Sequence, residues 1–312
     1  MKGLSPDTLP SASKGSGYHL ALFSAITSAA VTVIGKWCLA SISPLLLNCL
    51  IFSIAAFVLA ATLVPRKGWS WFFRHSRSGW LWIFILVASS FGALWAFWAG
   101  VQRIDPTLAA FLNRTEVFVA VLLAMIVLRE RFSWREAVGA LVSIAGMVIM
   151  RLTLRMEYES GFWLVLLGSV FFGIVELVSK IAIRHVEPAV LTGMRSWFLA
   201  LAFWAVFILR GENFEGLGEV WPGVVALAVL GPVLARLFYL WALKRMELAK
   251  AAIISQLQPV FVVVLALTAL GQLPTVREAW GGILIGLGTV IMIWARPLVV
   301  PAAVQPGPQK SS

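Results

Sequence analysis

The chain is 312 residues long, 60% hydrophobic and only 12% charged, with a mean hydropathy of +0.91; a water-facing domain of this size carries about 25% charged residues. Too little polar surface remains to cover a soluble globule, so the composition points to an integral membrane protein whose solvent is the lipid bilayer. The net charge of +11 would suit nucleic-acid binding in a soluble protein, but most basic residues fall in short stretches between apolar runs, so no nucleic-acid partner is expected.

Residues 1–16 are polar and rich in Ser, Gly and Pro, and read as a disordered tail. The apolar run that follows is too long for a signal-peptide core and lacks a small-residue cleavage site, so it is expected to remain as a helix. Ten apolar spans then predict ten transmembrane helices, at 17–37, 44–64, 79–101, 105–128, 133–151, 161–183, 188–209, 220–243, 248–270 and 275–295. Each approaches the roughly 20 residues needed to cross a core about 30 Å thick. No alternating pattern of membrane strands appears, which makes the fold all-α. Residues 297–312, with several prolines, read as a disordered C-terminal tail.

The first two spans carry Cys38 and Cys49, which have neither disulfide nor metal spacing and read as small apolar groups. On the third, Phe91, Trp95, Trp98 and Gln102 form one stripe, beside a small-residue ridge of Gly92, Ala96 and Gly100 that lets helices approach closely. The stripe packs against neighbours or lines a cavity. The fourth holds Asn113, Arg114 and Glu116. Asn113 and Glu116 share a face, whereas Arg114 and Glu116, two apart, point away from each other in a regular helix, so each is expected to find its partner elsewhere. The sixth carries Glu176 and Lys180 at the spacing of an internal ion pair. Arg195, about 10 Å into the seventh span, is expected to snorkel to the membrane boundary. In the eighth, Pro232, Arg236 and Tyr239 share a face, and Pro232 frees a carbonyl and bends the helix. The ninth contributes Ser255 and Gln258. The tenth carries Gly282 and Gly286 as another small-residue ridge.

Outside the mid-span arginines, the tails and alternate loops hold sixteen Lys and Arg and the opposite loops six. That bias puts both termini in the cytoplasm. The expected location is the inner or plasma membrane.

The sequence also repeats itself. Arg135-Glu136-Ala137-Val138-Gly139 recurs as Arg277-Glu278-Ala279-Trp280-Gly281, an offset of 142 residues that also relates Gly146 to Gly288 and Arg103 to Arg245. Earlier elements match at 144: Gly17 with Gly161, Lys36 with Lys180, Pro44 with Pro188. Two five-helix repeats, 17–151 and 161–296, follow. An odd helix count obliges the second to sit upside down relative to the first, the inverted arrangement of many secondary transporters, with a binding site near the midplane at the repeat interface. The 142 offset carries Asn113 to Ser255 and Glu116 to Gln258, so both halves bring a polar pair to that place.

The sequence resembles the EamA branch of the drug/metabolite transporter superfamily. The resemblance rests on Leu257-Gln258-Pro259-Val260-Phe261 with its first-half partner Thr115-Glu116-Val117-Phe118, on Leu128-Arg129-Glu130-Arg131 before Trp134-Arg135-Glu136-Ala137-Val138-Gly139, and on Trp241-Ala242-Leu243-Lys244-Arg245. It covers about residues 17 to 296. It implies ten helices, a central cavity lined mainly by helices 1, 3, 4, 6, 8 and 9, and export of small metabolites. Val117 stands where the second half has Pro259, and Glu130 where it has Gln272, so the halves are unequal.

No histidine lies mid-span, no metal or nucleotide motif appears, and Asp105 is the sole aspartate near a span, so neither an enzyme nor a cofactor is expected. The leading expectation is a secondary exporter of amino acids or related amphipathic or carboxylate-bearing compounds, working by alternating access as a monomer or homodimer. Asn113, Glu116, Arg236, Tyr239, Ser255, Gln258, Trp95 and Trp98 are the candidate substrate contacts. Glu116 and Glu176 are the candidates for proton coupling. A facilitative uniporter, an importer of an anionic metabolite, and a non-transporting scaffold or membrane enzyme are the alternatives.

Overall fold

The structure, a computed structural model, describes residues 15–73, 75–128, 134–153, 159–183, 185–245, 254–255, 257–271 and 274–295. The expected tails, apart from Gly15 and Ser16 at the start of the first helix, lie outside the described residues, as do Arg129, Glu130, Arg131 and Gln272.

Among the described residues every regular element is helical. The elements are α1 (Gly15–Cys38), α2 (Pro44–Lys67), the short α3 (Ser70–Phe73), α4 (Arg77–Val101), α5 (Pro106–Asn113), α6 (Thr115–Leu128), α7 (Trp134–Thr153), α8 (Glu159–Ala182), α9 (Pro188–Arg210), α10 (Leu217–Ala228), a π-helical stretch Val229–Ala235, α11 (Arg236–Arg245), α12 (Gln258–Leu270) and α13 (Val276–Ala295). Among the described residues six stretches are long and apolar enough to cross a membrane, lying in α1, α2, α4, α8, α9 and the continuous Leu217–Ala242. Two shorter apolar helices, Ala137–Ile149 and Gln258–Leu270, accompany them. The chain is a multi-pass membrane protein.

Local chemistry sets the helix ends. Ser43 caps α2 by accepting from Leu46 N at 3.1 Å, with Pro44 in the first turn where its missing N–H costs nothing. Gly211 and Gly271 close α9 and α12 in the left-handed conformation, φ 62° and 64°, which glycine adopts without strain. Lys36 is more than a loop charge: its Nζ donates to Val101 O, Gln102 O and Ile104 O at 2.9, 3.0 and 2.9 Å. A cation thus satisfies the carbonyls left open where α4 ends.

Two of the expected spans are not plain α-helices. At Arg114 the fourth tightens from four-residue to three-residue hydrogen bonding, with Arg114 N to Phe111 O at 3.1 Å and Val117 N to Arg114 O at 3.3 Å. The eighth passes Pro232 as a π-helical stretch, whose wider turn absorbs the proline that an α-helix interior rejects.

Packing follows the small residues. Gly146 lies against Gly281 O and Ile285 N, and Gly288 against Gly139 O and Ser143, while Ser143 Oγ donates to Ile285 O at 3.3 Å. Numbers fall along α13 as they rise along α7, so the two helices run antiparallel. Helices α4 and α8 are likewise antiparallel, with Gly100 on Gly161 and Val165, and Gly168 on Ala93 and Phe97. Across α1 and the eighth span, Ser24 Oγ donates to Ala235 O at 3.0 Å. Shifting Gly168 back by 144 and Ala93 forward by 142 lands on Ser24 and Ala235, so these two packings are each other's counterparts. Cys38 and Cys49 are buried and unbridged. Gly282 is pressed onto the Phe111 ring, but Gly286 faces open space, so the expected ridge on α13 makes a close contact at one glycine only.

Candidate functional site

A cavity of about 280 Å³ opens between α1, α2, α4, the α5–α6 break, α8, α9, α10, the π-helical stretch, α11 and the start of α12. It lies just below the usual range for ligand sites, roughly 300–1,000 Å³. Of the eight expected substrate contacts, seven line it: Asn113, Glu116, Arg236, Tyr239, Ser255, Gln258 and Trp98. Trp95 does not. It is half-buried beside the main apolar core, on the part of the helix surface that neighbouring side chains fill. Phe91 also belongs to the packing: its ring stacks on Phe203 with centroids 4.5 Å apart.

Arg114 holds the two halves together here. Its Nη2 donates to Gln258 Oε1 at 2.7 Å and its Nη1 to Ser255 O at 3.0 Å. Nη2 also lies 3.4 Å from Glu116 Oε1, which corrects the expectation that these two side chains point away from each other and pair only elsewhere. In an α-helix, side chains two apart diverge by about 160°; at the three-residue turn of Arg114 the divergence falls to about 120°, within the reach of a long guanidinium. Asn113 Nδ2 donates to Glu116 Oε2 at 3.2 Å, as their shared face predicts. Ser169, buried on α8, completes the group by donating to Asn113 Oδ1 at 3.3 Å.

A second group lines the same cavity. Arg236 Nη1 pairs with Glu176 Oε1 at 3.2 Å, Arg236 Nη2 donates to Ser179 Oγ at 2.7 Å, and Tyr239 Oη donates to Glu176 Oε2 at 3.5 Å. Glu176 therefore pairs across helices; the side chain of Lys180, its expected partner, lies outside the described residues.

Arg195 departs most from expectation. It does not snorkel: it is buried, lines the cavity, donates from Nε to Ser90 Oγ at 2.8 Å, and holds its guanidinium 5.7 Å from the Phe52 ring centroid. Depth along α9 is legible in sequence, but the face that turns toward α2 and α4 is not. Ser90, Ser169 and Ser179 carry no sequence signal that separates them from other serines in apolar helices. Among the described residues no cluster of His, Cys, Asp and Glu could hold a metal ion.

This architecture is shared. A protein crystal structure matches 89% of this chain and 97% of its own, with a TM-score of 0.66 and 23% sequence identity, a likeness of fold. An uncharacterized transporter of Synechocystis sp. is 19% identical over 206 residues, which cover 62% of this chain and 59% of that relative. The chain thus matches somewhat over half of the relative's length. The profile of the EamA-like transporter family matches twice, over 15–152 and over 159–294. A family whose signature fits this chain once on each side of the 154–158 junction, and so takes in every helix that lines the cavity, accounts for the sequence and the fold together: the chain belongs to the EamA-like transporter family.

Proposed function

We propose that the protein is a secondary transporter that exports small carboxylate-bearing or amphipathic metabolites, amino acids among them, by alternating access between two inverted five-helix repeats, 17–151 and 161–296. One observation carries this reading: a largely apolar cavity into which matched positions of both halves bring polar groups, Asn113 and Glu116 from one and Ser255 and Gln258 from the other. The antiparallel contact of α7 with α13, where Gly139, Ser143 and Gly146 face Gly288, Ile285 and Gly281, supports a two-fold axis in the membrane plane. Exchanging the conformations of two such halves moves a central cavity from one side of the membrane to the other. The bias of sixteen Lys and Arg against six favours both termini in the cytoplasm and insertion in the plasma membrane.

In this reading Glu116 and Glu176 are the proton-coupling candidates. Each carboxylate is already engaged by an arginine, so proton binding would release Arg114 or Arg236 toward substrate. The test is flux in proteoliposomes. Metabolites that raise the unfolding midpoint of the purified protein are loaded, and efflux is followed with and without an imposed pH gradient. Efflux that rises with the gradient, and loses that dependence in Glu116→Gln or Glu176→Gln, is the expected result. Efflux indifferent to the gradient would reject coupling and leave facilitated export; no protein-dependent flux of any binder would reject transport.

A further inference from the structure

The charges around the cavity do not cancel. Arg114 pairs with Glu116 and Arg236 with Glu176, which leaves Arg195 with no carboxylate within 4 Å among the described residues. An ionised side chain within the membrane normally faces a partner of opposite charge or a wet cavity. Among the described residues its direct contacts are a single hydroxyl, Ser90 Oγ at 2.8 Å from Nε, and the face of Phe52; the Glu176 carboxylate, already paired with Arg236, acts on it only from farther off. Arg195 is 7% exposed, yet neither Nη makes a hydrogen bond among the described residues and neither is sealed from the cavity.

A guanidinium carries five N–H donors, and Ser90 takes the one on Nε. Four remain on the two Nη atoms, in the end-on fork that matches the two oxygens of a carboxylate. Ser90 and Phe52 fix the plane of that fork, so little further ordering is needed when an anion arrives.

We propose that Arg195 is the docking point for the carboxylate of a small monoanionic substrate, with Ser90 as its positioning residue and the rings of Phe52, Phe97, Trp98 and Phe172 receiving an apolar body. The proposal rests on the transport reading and narrows it. Charge sets the order of preference. A monocarboxylate neutralises Arg195 and disturbs nothing else. A zwitterion must also take Glu116 or Glu176 from its arginine to seat its ammonium. An amine meets an unopposed cation and two engaged carboxylates.

Three compounds on one skeleton test this: 3-phenylpropionate, phenylalanine and 2-phenylethylamine, titrated calorimetrically into the full-length protein in detergent. Wild type is expected to bind 3-phenylpropionate tightest and the amine not measurably. Arg195→Met should lose roughly thirtyfold or more in affinity for the anion, Arg195→Lys roughly tenfold through loss of the fork, and Ser90→Ala a few-fold. The proposal is overturned if Arg195→Met binds the anion within about twofold of wild type, if the amine binds as well as the anion, or if wild type binds 3-phenylpropionate no tighter than about 1 mM. Should Arg195→Met not elute as a folded species, Arg195→Lys and Ser90→Ala decide: unchanged affinity in both overturns it. Wild type that binds the anion but passes none across proteoliposomes defeats the transport reading and keeps the docking site. Flux in wild type with undiminished binding in Arg195→Met does the reverse.

Discussion

The seam between α7 and α13 and the cavity between α6, α8 and α11 are both built from helices of the two halves, yet they solve opposite problems. At the seam the backbones touch: a Cβ on Gly288 would stand 2.4 Å from Gly139 O, and one on Gly146 2.6 Å from Gly281 O. At the cavity long side chains make the join instead: Arg236 on α11 pairs with Glu176 on α8, and Arg114 bonds to Ser255 O and to Gln258 on α12. Between helices in lipid there is no hydrophobic drive, so association depends on close packing and on hydrogen bonds. The seam uses the first and the cavity the second. Packing without side chains leaves no room for a ligand, whereas pairs of flexible charged groups leave space and can trade partners.

The most direct way to break the comparison is to put a side chain into the seam. In Gly288→Val the added carbons meet backbone atoms and the Ser143 side chain on a neighbouring helix, and the backbone cannot step aside. The unfolding midpoint in detergent should drop by the equivalent of roughly 3 kcal/mol, with lower yield. Gly146→Val should match it, because a Cβ there would meet Gly281 O at 2.6 Å in the same way. Tolerance of both would mean that the helices are not in backbone contact.

The next largest effect belongs to the cavity. Arg236→Met strands Glu176 and leaves Ser179 without its donor, a loss of about 1–3 kcal/mol that a wet cavity will soften. The double variant Glu176→Gln with Arg236→Met should recover much of it, since neither charge is then left alone. Equal losses in the single and double variants would show that Arg236 acts by packing rather than by its charge. Smaller again is Lys36→Met, which removes three charged donors from the end of α4 near the surface. About 1 kcal/mol is expected there, read from the same unfolding curves.

The two regions also differed in how well the sequence announced them. The seam's glycines stood out because Gly139 and Gly146 recur as Gly281 and Gly288 at a fixed offset, but that recurrence read as a repeat and not as a contact between the two helices. Asn113, Glu116, Ser255 and Gln258 were visible for the same reason, as polar positions in apolar helices matched between halves. The pairing of Arg114 with Glu116 was not, because spacing arguments assume a regular helix and the chain tightens at Arg114, whose guanidinium also bonds to Ser255 O and Gln258 more than a hundred residues on. Arg195 was misread for a related reason: its depth along α9 follows from counting residues, but its orientation depends on Ser90 and Phe52, which belong to helices more than a hundred residues earlier. Trp95 shared a stripe with Trp98, and only neighbouring helices decide which of two such rings meets the cavity.

The smallest expected effect sharpens the comparison most, because it separates pattern from contact. Gly282 and Gly286 form one ridge by spacing, and a rule based on spacing predicts equal damage at both. In the structure a Cβ on Gly282 would stand 2.4 Å from the Phe111 ring, while one on Gly286 would meet nothing within 4 Å. Gly286→Ala should therefore leave the unfolding midpoint unchanged or raise it by up to about 1 kcal/mol, the helix-propensity gain of alanine over glycine. Gly282→Ala should lower it, since that ring is enclosed on its other sides and has to turn. If the two substitutions behaved alike, close approach would be a property of the whole helix face, and the division between a touching seam and an open centre would lose its basis in single contacts.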